Sequence, residues 1–523
     1  MMKYLFKSSL FVFFLLFFLN SFSQDTYFSL GNAIPSTGRF FSGFKRVYTF
    51  DATRSYPLNY NPGINPDSTR GLRPMVINIW YPVKIKTAST FAYTQYLQFE
   101  NADPKWKNFL TRLEHYQEVT IKENGFRYTK VNDTVEENIL FNKLKQSKVA
   151  ASLNATVAEG IFPLVIYQPS LGGTIEENAL LCQYLAANGY VVISAAYQPD
   201  NGVRIGPDWD LERAEADVDY LVEYAQEHLP VDTNNIHLLG YSFGAQSVFN
   251  LLAKGRKFVS AVSLDSRLEY SFDYAPRGFK DLPDRLLSHV KNITQPVLLF
   301  TNEEATYKLV DSFVFANRYY MPLHFLEHHD YASTREISNY WVAAIKNKDR
   351  ELLEKTQDYI SMCEHVLAFL NFYTQPQNRK RDFLFPKRSR SRFAEHVPRG
   401  SNGNRTAADV IQTPRQLLLT ANKIGVNHAK EIYKQQQMSF SEDFFNNYAY
   451  HLVGKDKGSM AIQVLVWAVE IYPNSANLFD SLGEIYFSEK EYVKSASSFR
   501  RSLALNPSNK NAIEYLKKLG QVK

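Results

Sequence analysis

Cysteine is nearly absent: Cys182 and Cys363 are the two in 523 residues. Each sits in an apolar, helix-like pattern, which reads as a buried free thiol rather than half of a disulfide. There is no CxxC pair, no HExxH and no dense His/Asp cluster, so no metal centre is expected and no cofactor is implied. Long apolar runs are equally scarce. The one such run, Leu10–Leu19, follows Lys3 and Lys7 and ends in small polar residues before Gln24. It is too short for a comfortable membrane span of about 20 residues. A short basic segment, an apolar core and a cut after Ser23 make residues 1–23 a secretory signal peptide. The expectation is an exported protein, periplasmic or extracellular. No other segment is long and apolar enough to cross a bilayer.

A strong charge of either sign is also missing. Lys and Arg number 59 against 53 Asp and Glu, a net charge of +6. Loss of residues 1–23 removes two lysines and leaves +4. The stretch from Arg379 to Arg405 holds nine Lys/Arg against Asp382 and Glu395, so it alone contributes +7 and the rest sums to −3. Basicity is therefore local. Residues 376–405, with their Pro, Ser and Gly, read as a solvated linker, with contact to an anionic envelope surface as the sharper alternative. Nucleic acid is not an expected partner for an exported chain.

With 45% hydrophobic and 21% charged residues, the chain has the make-up of an ordinary folded protein long enough for two or three domains. From residue 24 to 375 it alternates β-branched or aromatic runs with helical patterns. Strand candidates are 44–50, 75–82, 162–168, 190–197, 236–240, 258–264, 296–301 and 321–327. Helical patterns such as 177–189 and 211–229 separate most of the later ones. This predicts an α/β fold, a mainly parallel sheet flanked by helices on both faces. Residues from about 86 to 160 lack the alternation and read as an aromatic-rich insertion.

Residues 406–523 carry an internal repeat. Pro473 and Pro507, in Ile471-Tyr-Pro-Asn-Ser-Ala-Asn and Leu505-Asn-Pro-Ser-Asn-Lys-Asn, lie 34 residues apart, the tetratricopeptide period. One unit supplies Phe445, Tyr448, Leu452, Ala461, Leu465 and Ala468. The next supplies Phe479, Leu482, Gly483, Tyr486, Ser495, Phe499 and Ser502. Large and small contact residues so spaced predict an all-α domain of tetratricopeptide-like helical repeats, to which a protein partner could bind.

The chemistry-bearing motif is Gly240-Tyr-Ser-Phe-Gly, directly after the apolar run 236–239 and before a helical pattern. Strand, sharp turn and helix are the setting of a nucleophile elbow, which would lift the Ser242 hydroxyl above a sheet edge. A serine needs a base within hydrogen-bond reach, itself oriented by a third group. Asp265 closes the next strand candidate, at the same edge as Ser242. After the last strand comes Leu326-Glu-His-His-Asp-Tyr-Ala-Ser, which leaves His328 and His329 as candidate bases. The N–H of Phe243, the residue after the nucleophile, is one candidate oxyanion donor.

These motifs, together with Gly43-FKRVYTFDATR and Arg73-PMVINIWYP, resemble the platelet-activating-factor acetylhydrolase-like branch of the α/β-hydrolases. The resemblance covers about 330 residues and includes the Leu-Asp pair at 264–265 and a late H-x-[N/D]-[F/Y]-A segment. It implies an α/β-hydrolase fold for residues 24–375, and it places the base on His328, with His329 as second choice. It also aligns the second oxyanion donor with Leu171, in the loop after 162–168. There the chain has Pro169-Ser170 where the family has a His-Gly pair, a change that bears on pocket shape. The implied activity is a serine-dependent carboxylic ester hydrolase acting through an acyl-enzyme on a small-molecule or lipid-like ester. Tyr270, Phe272, Tyr274 and Phe279 are expected to line or cover an acyl pocket, with packing between domains as the equal alternative. The alternatives are an amidase, thioesterase or polyester hydrolase, or an envelope protein-interaction module with a vestigial hydrolase domain.

Overall fold

The protein is described from a computed structural model. The described residues are 38–57, 70–85, 90–101, 103–122, 134–171, 173–195, 211–270, 281–302, 305, 307–323, 325–345, 350–374, 395–397, 421, 425–435, 442–453 and 457–520. The expected signal peptide and the basic cluster lie outside them. The chain divides into two compact units, Met1–Gly403 and Asn404–Lys523.

In the first unit, period-two alternation in the strands builds one sheet with a core on each face. The strands are β1 (Phe41–Pro57), β2 (Arg70–Val83), β3 (Thr90–Ala92), β4 (Lys148–Leu153), β5 (Phe162–Gln168), β6 (Val191–Ala195), β7 (Val231–Tyr241), β8 (Ser260–Leu264), β9 (Val297–Thr301), β10 (Arg318–Pro322) and β11 (Glu395–Val397). They run in the order β11-β10-β9-β8-β7-β5-β6-β2-β1-β4-β3. The six strands from β10 to β6 are mutually parallel, and β2 and β1 extend the sheet antiparallel.

Because successive side chains point to opposite faces, Val165, Val192 and Leu298 enter one core, with the helices Ala179–Ala187 and Arg350–Thr374. Their neighbours Leu164, Ile193 and Leu299 enter the other, with the helices Leu211–His228 and Phe243–Ala253. Burying each such side chain on both faces stabilises the sheet by about 1.5–3 kcal/mol. Cys182 and Cys363 are free and buried within the first core.

Three local expectations meet a more detailed picture. The stretch from about 86 to 160 is not wholly outside the sheet. It contributes β3 and β4, the latter parallel to β1, and the helix Lys107–Thr120, which packs through Phe109, Leu110 and Leu113 onto Ile175 and Val76. Residues 395–397, inside the expected linker, form β11 and pair antiparallel with β10. The last parallel strand begins at Arg318, three residues before the expected Met321. The arginine is fully buried and donates to the Asp311 carbonyl, so a residue that reads as a polar stop belongs to the strand.

The second unit is helical, with Val426–Gln435, Glu442–Val453, Gly458–Ile471, Ala476–Ser488, Tyr492–Leu505 and Lys510–Leu519. Ser475 and Asn509 cap the helices that follow them, accepting from Leu478 N at 3.0 Å and Ala512 N at 3.2 Å. A side chain at Gly483 would collide with the ring of Phe499, so the glycine sets how closely the helices Ala476–Ser488 and Tyr492–Leu505 approach. Among the described residues, no helix is long and apolar enough to cross a membrane.

Candidate active site

The elbow forms because β7 runs straight into the helix Phe243–Ala253 with one residue between them. That residue, Ser242, has φ 53° and ψ −116°, a left-handed conformation costly for a side chain. The turn is tight enough that a methyl group on Gly244 would overlap the carbonyls of Gln168 and Pro169, and one on Gly240 would overlap the backbone of Gly244 and Ala245. Ser242 N–H donates to Leu264 O at 3.0 Å, and Asp265 N–H to Phe300 O at 2.9 Å. The ends of β7, β8 and β9 are thereby held level at the carboxyl edge of the parallel strands. Asp265 also has positive φ, 47°, and is fully buried.

Three side chains meet above that edge. Ser242 Oγ lies 3.0 Å from His328 Nε2, and His328 Nδ1 lies 2.8 Å from Asp265 Oδ2. A carboxylate on Nδ1 selects the tautomer with the proton there, which leaves the Nε2 lone pair to accept from the serine hydroxyl. His329 points elsewhere: its ring centroid is 5.4 Å from that of His328 at a steep angle. Burial, and then His328 and Arg335, push its imidazole down to about 4. It lines the cavity in neutral form.

The loop carrying the histidines is held from below by groups the sequence reading did not single out. Tyr241 OH donates to His328 O at 2.7 Å. His328–Tyr331 form a 3-10 turn in which Asp330 Oδ2 accepts from Glu327 N at 2.9 Å and from Lys355 Nζ at 2.7 Å. Its Oδ1 accepts from Arg335 Nε at 3.2 Å. Burial raises the Asp330 carboxyl, but Lys355 and Arg335 outweigh it and hold the group below the ordinary range. Behind Asp265, Glu269 accepts from Ser263 Oγ at 2.8 Å and Ser266 Oγ at 2.7 Å, and burial followed by the Asp265 charge pushes it up to about 7.

Ser242 and His328 open onto a cavity of about 150 Å³, whose wall includes Leu171, Ser170, Thr174, Glu177, His329, Thr334 and Arg335. Thr120 and Ile121, at the end of the helix Lys107–Thr120, close another side. Of the two candidate oxyanion donors, Leu171 lies in this wall, and Phe243 is the first residue of the helix after Ser242. Of the four aromatics expected here, Tyr270 alone is described. Tyr270 is not part of the lining but accepts from Asn302 N at 2.9 Å through its hydroxyl. Phe272, Tyr274 and Phe279 lie outside the described residues. Among the described residues no group of three or more His, Cys, Asp or Glu could hold a metal ion.

A mostly parallel sheet flanked by helices, with Ser242 in a strand-turn-helix after β7 and Asp265 after β8, is the arrangement of an α/β-hydrolase fold. The chain adopts that fold in its first unit. No family model matches the chain, and no curated protein matches it. Among solved structures it is similar to a ferulic acid esterase from Streptomyces cinnamoneus, at 15% identity and a TM-score of 0.44, over 69% of this chain and 97% of that one.

Proposed function

We propose that the protein is a serine hydrolase of carboxylic esters. The observation that carries this reading is the continuous hydrogen-bonded chain Ser242 Oγ–His328 Nε2, His328 Nδ1–Asp265 Oδ2 beside an open cavity. Ser242 attacks the acyl carbonyl while His328 takes its proton. Asp265 keeps the imidazole in the required tautomer and stabilises its charged form. The N–H groups of Leu171 and Phe243 hold the oxyanion of the tetrahedral intermediate. His328 then returns the proton to the leaving alcohol. Water, activated by the same imidazole, releases the acyl group from Ser242.

The motifs that resemble the platelet-activating-factor acetylhydrolase-like family support an ester over an amide, and the small cavity favours a short acyl group. In this reading residues 1–23 export the protein to the periplasm or the cell exterior. The helical unit is a pair of tetratricopeptide-like repeats available to a protein partner, and the basic stretch 379–405 contacts an anionic surface.

The test is hydrolysis of p-nitrophenyl esters of graded acyl length by the mature protein and by Ser242→Ala. Loss of turnover on the order of 10⁴–10⁶-fold in the variant is expected, together with loss of fluorophosphonate labelling. Activity that persists in Ser242→Ala would remove the assignment, and an unreactive wild-type serine would favour the interaction-module alternative.

A further inference from the structure

The Leu171 N–H can act on an oxyanion only if its peptide plane is held, and the structure shows what holds it. Leu171 follows β5 in a loop with no regular structure of its own. One residue earlier, Ser170 gives both of its donors to a single carboxylate. Its backbone N–H donates to Glu177 Oε1 at 2.7 Å, and its hydroxyl donates to Glu177 Oε2 at 2.7 Å. These two bonds fix the backbone and the side-chain torsion of Ser170 together. On the other side, Gly173 N–H donates to Ser170 O at 2.9 Å. That carbonyl belongs to the same planar peptide as Leu171 N–H and lies trans to it, so pinning the one aims the other.

Glu177 is itself braced. Tyr167 OH donates to its Oε1 at 2.7 Å and accepts from Asn178 Nδ2 at 2.7 Å. Asn178 Oδ1 accepts from Tyr359 OH at 2.9 Å, which ties the arrangement to the helix Arg350–Thr374. Glu177 is 4% exposed, and there is no room beside it: a methyl group on Gly173 would collide with Glu177 Oε2 and Ser170 Oγ. A buried carboxylate that receives three short hydrogen bonds, two of them from the residue preceding the donor, is a rigid clamp.

We propose that Glu177 is a positioning residue for the hydrolysis, acting through Ser170 to aim the Leu171 N–H at the oxyanion. The inference rests on the serine-hydrolase reading of Ser242. It assigns Glu177 no contact with the reacting atoms. Its consequence is a contribution to the transition state rather than to substrate binding, because the oxyanion exists only after attack has begun.

The test uses the full mature protein and p-nitrophenyl acetate, with wild type, Glu177→Gln, Ser170→Ala and the double variant compared with Ser242→Ala. Glutamine keeps the shape but cannot accept on both of its terminal atoms. The expected result is a fall in kcat of about 10- to 100-fold for Glu177→Gln with KM within about twofold of wild type. Ser170→Ala should lose less. The double variant should be no worse than Glu177→Gln alone, since both changes break one device. Inhibition by a boronic acid that mimics the tetrahedral intermediate should weaken in parallel with kcat.

A Glu177→Gln enzyme with kcat within twofold of wild type would overturn the proposal. So would Ser170→Ala retaining full kcat and full boronic acid affinity, a result available even if Glu177→Gln does not fold. Activity surviving in Ser242→Ala would instead show that the hydrolase reading had failed.

Discussion

The hydroxyl of Tyr241 donates to the backbone carbonyl of His328 across 2.7 Å, with the two rings 5.5 Å apart. The residue immediately before Ser242 therefore holds the peptide of His328. Tyr241 is 4% exposed, so water does not readily replace the bond. Tyr241→Phe should leave the fold intact at a cost of about 1 kcal/mol and lower kcat about tenfold by loosening the imidazole. Steady-state kinetics and a urea unfolding curve on the same preparation measure both. An unchanged kcat would mean that the 3-10 turn alone is sufficient to hold His328.

The adjacent histidines separate by geometry. His328→Ala removes the group within 3.0 Å of Ser242 Oγ and should cost on the order of 10⁴-fold or more in kcat. His329 is neutral over the assay range, since its imidazole is pushed down to about 4, and it lines the cavity. His329→Ala is expected to change kcat less than about tenfold and to act mainly on KM. Equal losses in the two variants would contradict this division.

Asp330 is the anchor of the loop beneath them. Its buried carboxylate meets both Lys355 and Arg335, whose side chains are 8% and 4% exposed. Asp330→Asn would leave two buried cations facing a neutral amide, a change that destabilises by about 3–5 kcal/mol. The urea midpoint should fall accordingly, and kcat should fall with it even well below the midpoint. A variant of wild-type stability would show that Arg335 and Lys355 find other acceptors.

Glu336 gives stability a defined pH dependence. It is 1% exposed, and neither carboxyl oxygen has a hydrogen-bond partner among the described residues. The nearby Thr356 hydroxyl donates to Leu352 O instead, at 3.2 Å. Burial pushes the carboxyl up to about 8 from an ordinary 4.5, and Asp330 reinforces it against Lys355 and Arg335. Below the unfolded value both states hold the proton. As pH rises, the unfolded chain releases it first, so stability falls until the folded group ionises as well, near 8. Glu336→Gln cannot ionise and lacks that slope. Its urea midpoint should match wild type near pH 4.5 and exceed it near pH 8.5, by about 1–3 kcal/mol in unfolding free energy. Other buried carboxyls titrate alike in both proteins and cancel. A difference that does not vary with pH would refute the account.

How far these features could be read from the chain depends on how local their causes are. The strand-turn-helix around Ser242 is local, because the apolar run, Gly240 and Gly244 lie within a few residues of it. The position of Asp265 follows nearly as directly, from the end of the next apolar run. The inward strands β5 to β9 announce themselves by being apolar on both faces. In contrast, the stretch 86–160 carried no such pattern, yet it supplies β4 and the helix end that closes the cavity. Its partly polar helix gains its place from packing on Ile175 and Val76, and its short strands from burying Phe91, Val149 and Ala151 in the first core, rather than from their own periodicity.

Local pattern was thus enough for the elbow, the sheet it stands on and the edge at which Asp265 is placed, because backbone geometry depends on neighbouring residues. Tertiary structure decided which histidine meets Ser242 and what holds that histidine still. Tyr241 and His328 are 87 residues apart, and Asp330 and Lys355 are 25 apart. Nothing in a linear sequence couples such pairs. They act together only because the parallel strands bring β7 beside β8 and place the loop after β10 above both, where burial removes the water that would otherwise compete for each hydrogen bond.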